Sequence, residues 1–214
     1  MTGSRQLFNS NGKDNVQKNR RATLSGLCGW LGHGGSVTEN LHLVRQMAAP
    51  LGRFDGSDVH ASAGSKSAVA VAARDGSAHI YQKEGLLVSV WGRARFVEPR
   101  LAELARAEGI AKTLADNWRE RGEQIFASLT GSFCCCILNE NTDEAALAID
   151  RMGTYPLSYQ IATGGLVFGS SADAINLHPL IKSEIAPQSL YNYVYFHMVP
   201  GPDTIYQGQK RLLP

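Results

Sequence analysis

The strongest constraint on the fold is a run of four predicted β-strands in residues 132–171, SFCCCILNENTDEAALAIDRMGTYPLSYQIATGGLVFGSS. Polar turns join these strands. Residues 139–143 form the first turn, and Gly164–Gly165 form the last, a pair that favours a tight hairpin. Upstream, apolar residues alternate over 67–73 and 79–93, with turns at Asp75–Gly76 and Glu84–Gly85. The alternation predicts further strands, and the short turns indicate largely antiparallel sheets.

Helical patterns separate the blocks of strands. The predicted helices cover residues 38–52, 98–109, 112–131 with a break at Gly122, and 187–198. Thr38 is the expected N-cap of the first helix, and Pro99 suits the first turn of the second. Residues 53–66 are predicted to form a loop, and residues 200–214 an extended tail. Two helices between blocks of antiparallel strands predict an α+β fold with helices layered on sheets.

Length and charge limit the class of protein. A chain of 214 residues suits one domain, and a net charge of +2 with interspersed charges argues against a nucleic-acid partner. No apolar run approaches the roughly 18 residues of a membrane span, and the N-terminus lacks the apolar segment of a secretory signal. Residues 1–23 are polar, so we expect a disordered extension or a propeptide there and a folded domain over residues 24–214.

The four cysteines, Cys28 and the run Cys134–Cys136, show none of the spacings of a zinc site, and no metal is expected. The run is expected to be a set of small buried side chains in a reducing cytosol, which indicates a cytoplasmic protein. Cys28 leaves two interpretations open, because LCGWLGHGG places it among glycines just before a helix. It is either a nucleophile or an apolar core residue.

Five segments in order resemble the glutaminase half of asparagine synthetases. They are LCGWLG, LTGSF, AIDRMGTYPLSYQ, GGLVFGSS and VPGPDTIYQGQKRLLP, and the resemblance covers about residues 27–214. It implies an Ntn-hydrolase fold, which is a four-layer αββα sandwich, and class II glutamine amidotransfer. In that reaction a cysteine thiol attacks the side-chain amide of glutamine, and ammonia is released.

The resemblance also implies a partner for the domain. Ammonia passes to an ATP-dependent synthetase domain or subunit, whose Ser-Gly-Gly-x-Asp-Ser loop is absent from this sequence. The chain alone is therefore not expected to make asparagine. The glutaminase reaction itself implies no cofactor, and the family leaves room for a homodimer.

Cys28 stands in the nucleophile position of the family. Ntn enzymes use the nucleophile's own free α-amine as the base, and an amide nitrogen cannot accept that proton. As the sequence is written, with residues before it, Cys28 is therefore expected to be inert. A cleaved propeptide would expose the amine, and so would translation from a TTG or CTG start codon at Leu27. The remaining alternative is that the extension is retained.

The sequence retains only some of the residues that bind glutamine in the family. Arg53 matches the Arg of the family's Arg-Gly-Pro-Asp loop, and Arg74 matches the Arg that grips the α-carboxylate of glutamine. The family's Asn-Gly-Glu becomes Trp91-Gly92-Arg93. Gly92 can still offer an N–H group to an oxyanion, but Trp91 replaces an oxyanion donor and Arg93 reverses a charge. The Asp that pairs with the ammonium of glutamine falls at Ile110, and Asp58 and Asp116 are the candidate substitutes.

Three functions remain open from the sequence. The first is an amidotransferase domain that hydrolyses glutamine for a synthetase module. The second is a degenerate scaffold domain, like the inactive glutaminase halves of the related β-lactam synthetases and lasso-peptide cyclases. The third is an amidohydrolase acting on an uncharged amide, which would suit an apolar Ile110 and Trp91.

Overall fold

The computed structural model of the chain describes residues 25–53, 57–74 and 76–214. The predicted extension over residues 1–23 lies outside the described residues, and so does Asp75 of the predicted turn. The described residues form two antiparallel sheets packed face to face, with helices on both outer surfaces. The predicted α+β fold with four αββα layers is confirmed.

Sheet A has six strands in the order β10-β8-β9-β1-β3-β2. Their bounds are β1 Gly26–Leu31, β2 Asp58–Ala63, β3 Ser67–Ala73, β8 Ser158–Ala162, β9 Gly165–Gly169 and β10 Gln209–Arg211. Every residue of β1 and β3 is buried, because both strands lie in the middle of the sheet with layers on both faces. The short side chains of SAVAVAA let these layers approach closely.

Sheet B has four strands in the order β4-β5-β6-β7. They are β4 Ala78–Lys83, β5 Leu86–Phe96, β6 Leu129–Asn139 and β7 Glu144–Ile149. The predicted turn at Glu84–Gly85 joins β4 to β5, and both residues have the positive φ angles that such a turn requires. The four strands predicted over residues 132–171 are confirmed, but they divide between the sheets as two hairpins.

Helices α1 Val37–Gly52 and α4 Ala172–Asn176 cover sheet A, while α2 Pro99–Glu108 and α3 Ile110–Arg121 cover sheet B. A 3-10 helix over Gly122–Ser128 follows α3, so the predicted break at Gly122 is confirmed. Helix α5, Pro187–Phe196, lies in the chain between α4 and the last strand of sheet A, β10. The N-cap of α1 is Ser36 and not the expected Thr38, because Ser36 and Glu39 form a reciprocal capping box.

Three elements were missed or only partly predicted. Strand β2 lies inside the predicted loop over residues 53–66; its Ser, His and Ala residues give a weak strand signal, and pairing with β3 decides its conformation. The short helix α4 was not predicted. The prediction of an extended tail is wrong over residues 201–208, which contain two turns and fold back so that Asp203 pairs with Lys210, and residues 209–211 pair with β8 as the edge strand β10.

Glu140 joins the two sheets at one end. It follows β6 of sheet B, and its carboxylate accepts hydrogen bonds from the N–H groups of Lys66 (2.8 Å) and Ser67 (2.7 Å) in the β2–β3 turn of sheet A. The hydroxyls of Ser65 and Ser67 donate to the same carboxylate. Burial opposes the charge, but these hydrogen bonds outweigh it and lower the pKa of Glu140.

None of the helices in the described part of the chain is both long enough and apolar enough to cross a membrane.

Candidate functional site

The strand registers place Arg74 and Trp91 near one end of the sandwich, while Cys28 lies in the middle of β1 and Ile110 and Asp116 lie on α3. Gly26 at the start of β1 pairs with Ala72, the second-last residue of β3, and Arg74 follows the last residue of that strand. Gly52, just before Arg53, lies against Ala72 as well. On sheet B, Trp91 pairs with Ala78 at the start of β4, which the chain reaches four residues after Arg74. The Glu140 junction lies at the other end.

Cys28 is in the middle of β1 and faces the helical layer. Its backbone pairs with Ala70 of β3 on one side and with Gly169 of β9 on the other. The side chain is fully buried in the apolar cluster that contains Val44 and Met47 of α1. The thiol donates a weak hydrogen bond to the carbonyl of Val44, with 4.0 Å from sulfur to oxygen.

The surroundings of Cys28 oppose formation of a thiolate. Burial raises the pKa of the Cys28 thiol far above its ordinary value, and a hydrogen bond from the backbone of Ala70 offsets this only in part. Since the thiolate is the nucleophilic form, burial here disfavours the reactive state of the Cys28 thiol. The nitrogen of Cys28 is an amide in the peptide bond to Leu27, as the sequence requires.

Leu27 is built into the opposite face of sheet A. Its side chain is fully buried between the two sheets, in the cluster that includes Trp91 and Phe168. Its N–H donates to the hydroxyl of Ser170 at 3.2 Å, and its carbonyl accepts from the N–H of Ser170 at 2.8 Å. The residue before the candidate nucleophile is therefore an integral part of the inter-sheet core.

The N–H group of Gly92, the predicted oxyanion donor, is occupied. It donates to the carbonyl of Ser77 at 2.9 Å. Gly92 has a φ of 113°, and a Cβ atom there would lie 2.4 Å from the carbonyl oxygen of Ser132. Both observations mean that the backbone conformation and the packing at position 92 require a glycine.

Trp91 fills the space between the sheets. Its ring meets that of Tyr155 edge to face, with 4.4 Å between ring centroids, and only 8% of its surface is exposed. Arg93 lies two residues further along the same strand and is exposed. Trp91 and Cys28 therefore project from sheets B and A into different layers, with sheet A between them.

The charged candidate site residues lie on different surfaces of the molecule. Arg53 and Arg74 are exposed at the site end, and Asp58 pairs through its backbone with Ala73, next to Arg74. Ile110 begins α3 and packs on the outer face of sheet B. Asp116 belongs to the same helix and bonds Lys112 at 2.9 Å. Of the two candidate substitutes for the missing carboxylate, Asp58 therefore lies at the site end.

Asp150 is the buried carboxylate of this end, and sequence reasoning missed its role. It follows β7 and accepts hydrogen bonds from the N–H groups of Phe133, Met152, Thr154 and Tyr155 and from the hydroxyl of Thr154, at 3.0–3.4 Å. Burial opposes its charge, but the hydrogen bonds from Thr154, Met152 and Phe133 outweigh it and lower the pKa of Asp150. Asp150 in the segment AIDRMGTYP is the sequence feature that could have indicated this loop.

Two cavities in the described part of the chain lie away from these residues. One has a volume of about 680 Å³ and lies between the edge strands β2 and β4 and the start of α3. The other lies between α3 and the ends of β4, β6 and β7. Neither is lined by Cys28, Arg74 or Trp91.

Comparisons with known proteins agree with this architecture. A family model described as a glutamine amidotransferase domain matches residues 101–214. Among solved structures, the chain is similar to an allosteric regulatory enzyme of purine biosynthesis, with 16% identity and a TM-score of 0.50. It is also similar to glutamine phosphoribosylpyrophosphate amidotransferase from B. subtilis complexed with ADP and GMP, with 16% identity and a TM-score of 0.45.

Each of these similarities covers 71% of this chain and 43% of the solved chain. The chain therefore spans less than half the length of these solved structures. No curated protein matches it.

Proposed function

Because this chain belongs to the family of glutamine amidotransferase domains, we propose that it is the glutaminase-type domain of an asparagine-synthetase-like protein. We further propose that it does not hydrolyse glutamine while residues precede Cys28, and that it serves as a scaffold for an ATP-dependent synthetase module. The observation that carries this proposal is the position of Cys28, whose nitrogen is an amide and whose thiol is buried under α1.

The remaining site residues support the scaffold function. A thiol needs a base to attack an amide, and the attack needs donors for the developing oxyanion. The N–H group of Gly92 already bonds Ser77, and Trp91 with Tyr155 occupies the volume between the sheets. Where the family has carboxylates, glutamine's ammonium group would meet the cationic Arg93, and Ile110 lies on the outer face of sheet B, away from this end. Each step of the reaction thus lacks a group in this arrangement.

Gly29 also fits a structural explanation of the Cys-Gly pair. A Cβ atom at Gly29 would lie 2.3 Å from the carbonyl oxygen of Ala68 and 2.8 Å from the ring of Phe168. Close packing between β1, β3 and the inter-sheet core therefore requires a glycine there. Cys28 itself is a small apolar side chain that fits beneath α1, so the pair needs no catalytic explanation.

A second candidate function is glutamine hydrolysis after release of Cys28 as the first residue. Leu27 favours it, because its side chain occupies the inter-sheet cluster that also contains Trp91. Removal of Leu27 would free that volume and leave an α-amine at the end of the sandwich where Arg74 and Arg53 lie. Glutamine would then be the substrate, and the synthetase module would receive the ammonia.

The cysteines support a reducing compartment. All four are free thiols and fully buried. Burial raises the pKa values of the Cys134 and Cys136 thiols, which slows their oxidation. We propose a cytoplasmic location on this basis.

The test is ammonia release from glutamine by two forms of the protein. One is the chain from Met1, with its N-terminus verified by intact mass, and the other begins at Cys28; each is paired with its Cys28→Ala variant. We expect the longer form to release no more ammonia than its variant, and no labelling of Cys28 by a glutamine-like diazo-ketone. Cys28-dependent release by the longer form would overturn the proposal. Release by the shorter form alone would establish the second candidate function.

A further inference from the structure

Three exposed arginines lie close together at one end of sheet B. They are Arg93 and Arg95 of β5 and Arg151 in the turn after β7, and we call them the arginine cluster. Strands β5 and β6 pair along their full length, whereas β4 and β7 reach only to Trp91 and Cys134 of these two strands. The end of β5 and the start of β6 therefore form a two-stranded arm that projects beyond the rest of the sheet.

Arg93 and Arg95 point to the same side of this arm. Ala94 and Phe96, which alternate with them along β5, pack in the outer apolar cluster of sheet B beneath α2 and α3. Since neighbouring side chains of a strand point to opposite faces, both arginines lie on the inner face, about 7 Å apart along the backbone. The same face carries Trp91 nearer the body of the sandwich.

Backbone pairing brings Arg151 to the base of the arm. Gly92 pairs with Phe133 of β6. The N–H group of Asp150, just before Arg151, donates to the carbonyl of Phe133 at 3.0 Å. Two strand spacings, about 10 Å, therefore separate the backbone around Arg93 from that around Arg151. Two arginine side chains are long enough to hold one anion between them across this distance.

The arginine cluster has no anionic partner among the described residues. None of its three guanidinium groups forms a hydrogen bond or an ion pair there. The acidic residues nearest along the chain are already engaged. Glu98 pairs with Arg121, with 3.0 Å from Oε2 to Nη2, and the carboxylate of Asp150 accepts from backbone N–H groups. The whole chain carries a net charge of only +2, so the cluster is a local concentration of positive charge.

We propose that the inner face of the arm binds a diphosphate group, either as part of a nucleotide or as free inorganic diphosphate. Guanidinium groups are planar forks that bind phosphate oxygens through two parallel hydrogen bonds. Arg93 and Arg151 hold the first phosphoryl group from two sides. Arg95, about 7 Å further along the arm, reaches the second phosphoryl group.

The charge of the cluster selects this class of ligand. A single carboxylate would balance only one of the three positive charges, whereas a diphosphate group carries several negative charges. The hydroxyl of Ser132, which pairs with Arg93 on the neighbouring strand, adds a hydrogen-bond donor to the same face. The site goes beyond the proposed function and does not depend on it, because it uses neither Cys28 nor the N–H group of Gly92.

Isothermal titration calorimetry of the full chain tests the proposal, with inorganic diphosphate and inorganic phosphate as probes at about 50 mM salt, where screening is weak. We expect diphosphate to bind with a dissociation constant below about 1 mM, at least about tenfold more tightly than phosphate. Arg93→Gln and Arg151→Gln should each weaken diphosphate binding at least about tenfold. Arg95→Gln should reduce the affinity for diphosphate to that for phosphate and leave phosphate binding unchanged.

Arg106→Gln is the matched control, because Arg106 is an exposed arginine of the outer helix α2 and its replacement changes the net charge equally. This variant should bind diphosphate like the wild type, and thermal unfolding checks that each variant is folded. An equal loss of affinity in Arg106→Gln and Arg93→Gln would indicate general charge attraction and overturn the proposal. Equal affinities for phosphate and diphosphate, or no binding of diphosphate, would overturn it as well.

A third probe, ATP without magnesium, identifies the source of the diphosphate group. It presents the same phosphate chain with a nucleoside attached, so Arg93→Gln should weaken its binding too. ATP that binds at least as tightly as inorganic diphosphate indicates a nucleotide ligand, and weaker binding of ATP indicates the free ion. ATP binding that is unchanged in Arg93→Gln would overturn the proposal.

Discussion

Asp150 organises the turn between β7 and β8 from a buried position. It accepts hydrogen bonds from four backbone N–H groups and one hydroxyl, so its charge is compensated without a cationic partner among these donors. Phe133 belongs to β6, and the remaining donors belong to the turn that leads from sheet B to sheet A. The residue thus fixes the crossover between the sheets at the candidate site end.

Replacement of Asp150 by Asn should destabilise the fold by about 2–4 kcal/mol. An amide has one acceptor oxygen, and its NH₂ group would face backbone donors. Urea denaturation at pH 7 measures the loss. Asp143→Asn is the control, because Asp143 is exposed, has a φ of 53° that Asn tolerates, and pairs only with an exposed Lys66 at 3.3 Å. An equal loss in both variants would contradict the role assigned to Asp150.

His178 predicts a separate acid sensitivity. It is buried against Trp30 and His33, with ring centroids 4.9 and 5.1 Å away, and burial, together with the charge of His33, lowers its pKa to about 4. The unfolded chain therefore binds this proton more tightly, and stability should fall as the pH drops from about 6.5 towards 4, by at most about 1.4 kcal/mol per unit.

The measurement is the free energy of unfolding between pH 7 and pH 5. His178→Asn removes the titration and keeps an acceptor for the N–H of Leu180, which bonds Nδ1 at 3.3 Å. This variant should show a flatter dependence than the wild type. His42→Asn, at an exposed histidine of α1, is the control. Equal slopes for His178→Asn and the wild type would refute the assignment.

At the level of elements, the N-cap of α1 lies two residues before the predicted one. Both Ser36 and Thr38 are suitable capping residues, and the sequence pattern favoured Thr38. The structure selects Ser36, because Glu39 is three residues further on and its carboxylate accepts from the N–H of Ser36 at 3.0 Å. Ser36 in turn accepts from the N–H of Glu39.

Ser36→Ala should cost about 1 kcal/mol of stability, since two N–H groups at the start of α1 lose their arrangement. Thr38→Ala, inside the first turn and exposed, should be neutral or slightly stabilising, because Ala is the better helix former. Thermal unfolding of both variants compares them directly. A larger loss of stability in Thr38→Ala than in Ser36→Ala would show that Thr38 is the N-cap.

Most hairpins and the longer helices were predictable from the sequence because their signals are local. The Glu84–Gly85 and Gly164–Gly165 turns, Pro99 at the start of α2 and the break at Gly122 all act within a few residues. Strand β2 was not predictable in the same way, since its residues are weak strand formers that adopt the conformation by pairing with β3. The assignment of β6–β7 and β8–β9 to different sheets also depends on long-range packing.

At the level of the whole molecule, the layer order followed from the resemblance, but the arrangement of the site did not. The sequence placed Cys28, Arg74 and Trp91 in corresponding family positions, but Cys28 lies in the middle of β1 beneath α1 and Trp91 lies between the sheets. Which face of sheet A Cys28 occupies depends on the register of the complete strand. Residues 28–31 pair with both β3 and β9, and Gly26 and Leu27 extend the pairing with β3.

The joint between the sheets provides a whole-molecule prediction. Glu140→Gln should lower the free energy of unfolding by about 1–2 kcal/mol at pH 7. The folded-state pKa of Glu140 lies below its ordinary value of 4.5, so its contribution is present above that pH and is lost as the pH falls through the folded value. The wild type and the variant should therefore converge in acid. Glu144→Gln, at the exposed start of β7, is the control. If the difference in unfolding free energy between the wild type and Glu140→Gln stays constant across this pH range, an ionised Glu140 does not hold the two sheets together.

The four buried cysteine thiols can be used to follow how the folded chain opens. Cys28 lies in the layer beneath α1, Cys134 and Cys136 lie between the sheets, and Cys135 lies beneath α3. A thiol-specific alkylating pulse can reach each of them only when its layer separates. The order in which the four become modified would therefore record which of the three interfaces parts first.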